Sequence, residues 1–260
     1  MPLIGSLRTL LLRGLLAGLV AGLLGATVGY AVGEPKVDAA IAIEEADSAA
    51  GHTHAESTGG HSHGDEDEPL VSRSGQKAGQ FLALGLAGLA LGAIYASVAH
   101  VARRYTTLSG SRLALALGVG GWAAIVAVPF FKYPANPPAV GDPGTINERT
   151  LLWLAAVLLG IVAVGAAVSV FKVLGAQLST FRLIGGFAAF VLVTVLGYLL
   201  LPGVNEVSAD FPAALLWQFR VASLAETATL WVCLALGFAA LTEFATRTDT
   251  AVRDTIATAG

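Results

Sequence analysis

The chain has 260 residues, 55% hydrophobic and 13% charged, with a formal net charge of −3. Soluble globular domains carry about 25% charged residues, and a mean hydropathy of +0.72 likewise excludes a soluble domain as the bulk class. Long unbroken apolar runs exclude a β-barrel, whose strands alternate over roughly 10 residues, and nothing in the chain forms the basic cluster of a nucleic-acid binder. The remaining class is an all-α, polytopic membrane helix bundle, with the lipid bilayer as its first partner. One cysteine, Cys233, leaves no intrachain disulfide framework.

A membrane-crossing helix needs about 20 apolar residues. The first such stretch covers about 10–33, behind Arg8 and Arg13. Its apolar length exceeds the roughly 7–15 residues of a signal-peptide core, so it reads as a membrane helix rather than a leader. It carries Gly14, Gly18 and Gly22, then Gly25, Gly29 and Gly33, two sets at four-residue spacing that allow close helix packing. Residues 34–77 follow as the one long hydrophilic segment, rich in Gly, Ser, Glu, Asp and His. Such a composition buries no core, and its middle is expected to be disordered. Five further spans are predicted at about 78–100, 113–131, 151–171, 183–201 and 214–241, making six, with five as the alternative. The domain organisation is thus a single membrane domain, 1–260, with 34–77 as a loop inside it. Helices one, three and five are each expected to exit at a proline, within Gly33–Pro35, Val128–Pro134 and Leu201–Glu206, because proline favours helix ends; three hairpins of common descent are the other explanation.

With the N-terminus inside, the inner segments hold Arg8, Arg13, Arg103, Arg104, Arg112, Lys172, Arg182, Arg247 and Arg253. The outer ones hold Lys36, Arg73, Lys77, Lys132, Arg149 and Arg220. The positive-inside rule therefore places both termini in the cytoplasm and the long loop outside. Most Asp and Glu then lie outside, giving a face that concentrates cations.

Four of the five histidines fall in that loop as two His-x-His pairs, His52 with His54 and His61 with His63. Neutral imidazole suits divalent transition metals, extended backbone sends alternate side chains to one side, and Gly59-Gly60 supplies a turn between the pairs. The bland alternative is a hydrophilic linker with incidental histidines. Glu226 lies nine residues past Trp217, roughly 13 Å into the last span, where a carboxylate costs on the order of 2.5–3.5 kcal/mol and usually serves function. Arg220, Ser223, Glu226, Thr227 and Cys233 are read as one polar stripe on that helix. The stripe is either a cation path, with Glu226 a transient ligand, or it holds a protonated or Arg-paired glutamate that glues helices. Glu34, Glu44, Glu45, Asn136, Asp142, Asn205, Glu206 and Asp210 follow the exits of three helices and are expected to form an oxygen-lined vestibule. Glu34, Glu44 and Glu226 join the four histidines as candidate metal ligands. Lys132 and Arg220 are candidate salt-bridge partners at the rim, and His100 reads as an interfacial residue. No Walker A, G-x-S-x-G or H-E-x-x-H string occurs, so the chain does not read as an enzyme, and no cofactor is expected beyond a transported divalent metal.

Several strings have a more specific likeness. Val32–Glu45 ahead of the histidines, Val71–Gln76, Val128–Gly141 (VPFFKYPANPPAVG) with Thr145 and Arg149-Thr150, Leu201–Glu206 (LPGVNE), Phe211–Ala213, and Leu216–Leu224 (LWQFRVASL) resemble the predicted cobalt transporter family CbtA over nearly the whole chain. That resemblance implies a bacterial inner-membrane protein importing Co²⁺ for cobalamin biosynthesis. It also implies a partner, a small single-span second cobalt transporter subunit that itself bears histidines. The family is often described with five spans, whereas hydropathy here counts six. Import with metal capture by the histidine-rich loop is one functional reading. A metal-binding or sensing membrane scaffold without its own transport is the other, and it has no need of Glu226 and a polar stripe.

Overall fold

The computed structural model describes residues 3–52, 71–138, 140–141 and 143–259, with the backbone alone described for 47–52, 143 and 248–259. Helix α1 (Leu7–Val28) passes through a π-helical turn (Gly29–Gly33) into α2 (Glu34–His52). The chain then continues through α3 (Arg73–Ala102), α4 (Gly110–Trp122), a second π turn (Ala123–Ala127) and α5 (Val128–Lys132). A 3₁₀ turn (Pro143–Thr145) precedes α6 (Ile146–Val173), α7 (Ser179–Leu200) and α8 (Ala213–Ala259). No strand occurs among the described residues. Six runs are long and apolar enough to cross a bilayer: Leu7–Ala46, Arg73–Ala102, Gly110–Lys132, Ile146–Val173, Ser179–Leu200 and Ala213–Arg247. The count of six therefore holds over five. At one end, the loop face, residues 140–141 and 206–212 gather beside α2; at the other, the termini face, lie residues 3–6, 103–109 and 174–178.

The helix starts arise from local chemistry. Ser6, Ser72 and Ser109 cap α1, α3 and α4 by accepting from the N–H groups of Thr9, Gly75 and Arg112, which satisfies donors a helix start leaves orphaned. The prolines depart from expectation at one of three places, Pro35; α5 ends at Lys132, inside the expected Val128–Pro134 exit. In each π turn the bonding shifts to five residues: Glu34 N–H donates to the Gly29 carbonyl, and Val128 N–H to that of Ala123. The next residues are Pro35 and Pro129. Proline lacks an N–H and its ring collides with the carbonyl four residues back, so a widened turn lets the rod continue past it. Helix one therefore does not exit at Pro35. It runs on because residues 34–52 are rich in Ala and Glu, both strong helix formers. The 34–77 loop is correspondingly shortened at both ends, since α3 begins at Arg73. Past Pro129 the helix lasts to Lys132, and at Pro202 it ends outright, with Leu201 extended.

Glycines set the packing. A Cβ on Gly14, Gly18 or Gly22 would stand 2.3, 2.1 or 2.2 Å from the backbone oxygens of Gly92, Gly88 and Leu84, so α1 and α3 touch backbone to backbone. The second set serves a different helix: Gly25 and Gly29 face Leu230 and Glu226 of α8, and Gly33 faces nothing within 4 Å. Gly118 and Gly121 seat Ala235 and Trp231, bringing α4 to α8. In the half toward the termini face, Leu10, Tyr95, Leu113, Leu234 and Phe238 close the bundle, with the Tyr95 and Phe238 rings edge to face at 5.4 Å. Tyr95 Oη donates to the Ala114 carbonyl. The α6–α7 hairpin joins through Gly160, whose Cβ would lie 2.2 Å from the Ala124 carbonyl oxygen in the second π turn. That oxygen has no helical donor, because Val128 N–H is committed to Ala123 and Pro129 has none.

Candidate functional site

The first π turn carries a polar centre. A Cβ on Gly29 would fall 2.2 Å from Glu226 Oε2 and 2.4 Å from Gln80 Nε2. Glycine there lets the Glu226 carboxyl of α8 and the Gln80 amide of α3 lie against the α1 backbone. No salt bridge reaches Glu226 among the described residues, and its charged neighbour is another acid, Glu34. Gln80 Oε1 is buried without a hydrogen-bond partner. The same turn frees backbone oxygen: with Glu34 N–H on Gly29 and no N–H on Pro35, the Tyr30 carbonyl has no helical donor four or five residues on. Oxygen is thus in excess of donors at this level of the membrane, on an element type that recurs at functional sites.

Glu34 also has partners of its own. Arg73 donates to it, and Lys77 Nζ stands 4.0 Å away; the same two cations hold Asp38 at 2.9 and 2.8 Å. These contacts fasten the start of α2 to the first turns of α3. A metal ion at Glu34 would compete with the guanidinium.

On the other side of α8 lies a cavity of about 510 Å³ toward the loop face, walled by α5, α6, α8 and the segments 133–136 and 204–207. Arg220, Ser223 and Thr227 line it and Glu226 does not. The expected single stripe is therefore split. At about 100° per residue, Arg220, Ser223 and Thr227 fall within roughly 60°, whereas Glu226 is turned about 120° from Arg220. Arg220 donates from Nε to the Ala135 carbonyl at 3.2 Å and from Nη2 to Asn136 Oδ1 at 2.9 Å. The reading of Glu226 as an arginine-paired helix glue accordingly fails, because the guanidinium points elsewhere. Arg149 Nη1 meets Glu206 Oε2 at 2.9 Å, and Thr145 Oγ1 donates to Glu206 Oε1. Gly141, at φ +129°, closes over that pair; a Cβ would stand 3.1 Å from the carboxylate and 3.2 Å from Arg149 Nη1. Only glycine adopts such a φ without strain.

The expected vestibule is divided among three places. Asn136, Asn205 and Glu206 line the large cavity. Glu44, Glu206 and Asp210 line a second one, of about 440 Å³, beneath α2. Glu34 sits with Arg73, Glu45 is exposed, and Asp142 lies outside the described residues. Lys132 Nζ donates to the Tyr198 carbonyl at 3.0 Å and Tyr133 Oη to that of Pro202 at 2.8 Å, tying α5 to the end of α7; among the described residues Lys132 meets no acid. His100 Nδ1 is buried without a partner, and Cys233 is free. His52 is the last residue of α2, with its side chain outside the described residues, as are His54, His61 and His63. Among the described residues no group of three His, Cys, Asp or Glu is arranged to hold a metal ion. Sequence reasoning missed Gln80, an uncharged residue near the start of a predicted span; an amide inside an apolar run was the available signal.

Six helices long and apolar enough to span a bilayer, with polar chemistry lodged on two faces of one of them, define a multi-pass helical membrane protein. The model of one family, described as a probable cobalt transporter subunit (CbtA), matches residues 7–243. The chain belongs to this family, and the word subunit in its description implies a partner chain. No significant match is found among curated proteins or among solved structures.

Proposed function

We propose that this chain imports Co²⁺ across the bacterial cytoplasmic membrane, with its loop face outside. The observation that carries the reading is the Glu226–Gln80 centre at the Gly29 turn: a carboxyl and an amide oxygen, neither with a cation partner, lodged in the loop-face half of a bundle closed below by Leu10, Tyr95, Leu113 and Phe238. Glu226 is half-buried; a carboxylate without a counter-charge inside a membrane span is unfavourable unless it is neutralised, and a passing divalent cation supplies that charge. In this reading His52, His54, His61 and His63 capture the ion. Glu44, with Glu206 and Asp210, receives it at the loop face, and Glu34 and Glu226 pass it inward. An inside-negative potential helps, at about 2.3 kcal/mol per charge per 100 mV, hence about 4.6 kcal/mol for a divalent ion. A small single-span second subunit with its own histidines is the partner this reading requires, and cobalamin biosynthesis the use of the metal.

The test is uptake of radioactive cobalt, with nickel and zinc as competitors, in cells lacking other cobalt importers. The chain is expressed with and without the small subunit. Saturable uptake that unlabelled cobalt outcompetes is the expected result. No uptake in either strain, with the protein present in the membrane, would replace import by the metal-binding scaffold.

A further inference from the structure

The large cavity has the wrong charge for a bare cation. Its described lining contains two guanidinium groups, Arg149 and Arg220, against one carboxylate, Glu206. That carboxylate is already engaged by Arg149 and Thr145. Arg220 is left with a carbonyl and an amide oxygen as acceptors and, among the described residues, no carboxylate within salt-bridge distance. It stands seven residues into α8, roughly 10 Å along the helix, where a charge taken from water needs a counter-charge. A guanidinium has five N–H donors in a planar fork matched to a carboxylate, and two hydrogen bonds leave part of that fork open to the cavity. Size points the same way. About 510 Å³ is close to three times the roughly 180 Å³ that a metal ion's six waters occupy at about 30 Å³ each, and it lies in the range of small-molecule pockets. The wall sets the Ser223 hydroxyl beside the Phe130 and Trp153 rings, the Thr150 and Thr227 hydroxyls being spent on helix carbonyls; with the arginines it offers hydrogen bonds and apolar contact together, as an organic anion requires and an inorganic one does not.

We infer that this cavity binds a small organic polycarboxylate, held by Arg220 with Arg149 beside it, on a face of α8 that Glu226 does not share. A net charge of +1 from the described lining residues suits a ligand near −1, the charge of a tricarboxylate carrying one divalent ion; the free di- or tricarboxylate offers the same groups to Arg220. The inference stands apart from cobalt import, since it concerns another face of the helix and an anion.

The experiment is calorimetric titration of the purified full-length protein in lipid nanodiscs with citrate, with the Co²⁺–citrate complex, with Co²⁺ alone and with inorganic phosphate. Arg220→Gln, Arg220→Lys and Ser223→Met are titrated alongside, each checked for monodispersity. Saturable binding of citrate or its cobalt complex is expected. Arg220→Gln should weaken it by about tenfold or more and Arg220→Lys by less, because lysine keeps the charge but not the fork. Ser223→Met keeps both arginines and fills the space, and it should weaken binding even if Arg220→Gln fails to fold. The metal-free and metal-loaded arms decide between free anion and chelate. Absence of carboxylate binding overturns the inference, as does equal affinity in Arg220→Gln or binding that anionic lipid alone supports. Cobalt uptake in cells without citrate binding here would leave import standing and remove this site; citrate binding without uptake would do the reverse.

Discussion

Glu226 and Gly29 occupy the same few ångströms from two helices, and each can be tested alone. Glu226→Gln keeps the shape and removes the charge, so cobalt accumulation should fall by about tenfold or more, on the scale of ligand-shell losses, with membrane protein level unchanged; unaltered uptake would remove Glu226 from the path. Gly29→Ala introduces a methyl where Glu226 Oε2 and Gln80 Nε2 now lie. Both are tips of flexible side chains, so the bundle should fold as before while uptake drops. An equal loss of thermal stability and uptake would mean that Gly29 matters for packing only. At this scale the sequence was informative about charge and silent about direction. Glu226 and Arg220 stood out as ionisable groups in an apolar run. Their separation by about 120° follows from the helical period; what each meets was decided by the fold, Gly29 and Gln80 for one and Ala135 with Asn136 for the other. Gln80 escaped notice because an amide barely disturbs hydropathy.

The two glycine sets of α1 look alike as strings and separate as contacts. Gly18→Ala would press a methyl onto the Gly88 carbonyl, 2.1 Å away. Backbone cannot yield as a side chain does, so destabilisation of about 1–3 kcal/mol is expected, read as a lower thermal midpoint in detergent. Gly33→Ala meets nothing within 4 Å and should be neutral or stabilising by up to about 1 kcal/mol. The reverse order would show that α1 and α3 do not pack as described. The prolines give the same lesson. Pro35, Pro129 and Pro202 look equivalent as helix exits, yet two come just after a π turn and stay within the rod, while one ends its helix. The residues beyond each proline decide its effect: helix-forming Ala, Glu and Ile after Pro35, and Gly203 with Asn205 after Pro202.

For the whole molecule, sidedness and capture are the questions that experiment answers directly. In a Cys233→Ser background, Ser208→Cys on the loop face should react with an impermeant maleimide added to intact cells, and Thr106→Cys on the termini face should react only after permeabilisation; the opposite pattern would invert the import reading. Deleting residues 51–64 should impair uptake at low external metal and spare it at saturating metal. A loss that persists at saturation would make the loop part of the path. The loop's contribution should also vanish as pH falls through about 6.5, the ordinary histidine value, because protonated imidazole cannot ligate metal. Capture that is unchanged at pH 5 would exclude the histidines.

Six apolar lengths, the position of the hydrophilic segment, the histidine pairs and the intramembrane charges were legible in the chain by itself. Each depends only on composition along a helix-length window and on the energy of burying charge in lipid. Tertiary structure decided which residues face one another: Arg149 with Glu206, Gly18 with Gly88, Glu226 with Gly29, and Arg220 turned into a cavity of its own. The reason is geometric. The helical period relates residues within one rod, but the rotation of each rod about its axis is set by where glycines let backbones approach and where π turns shift the register, and those depend on partners far away along the chain.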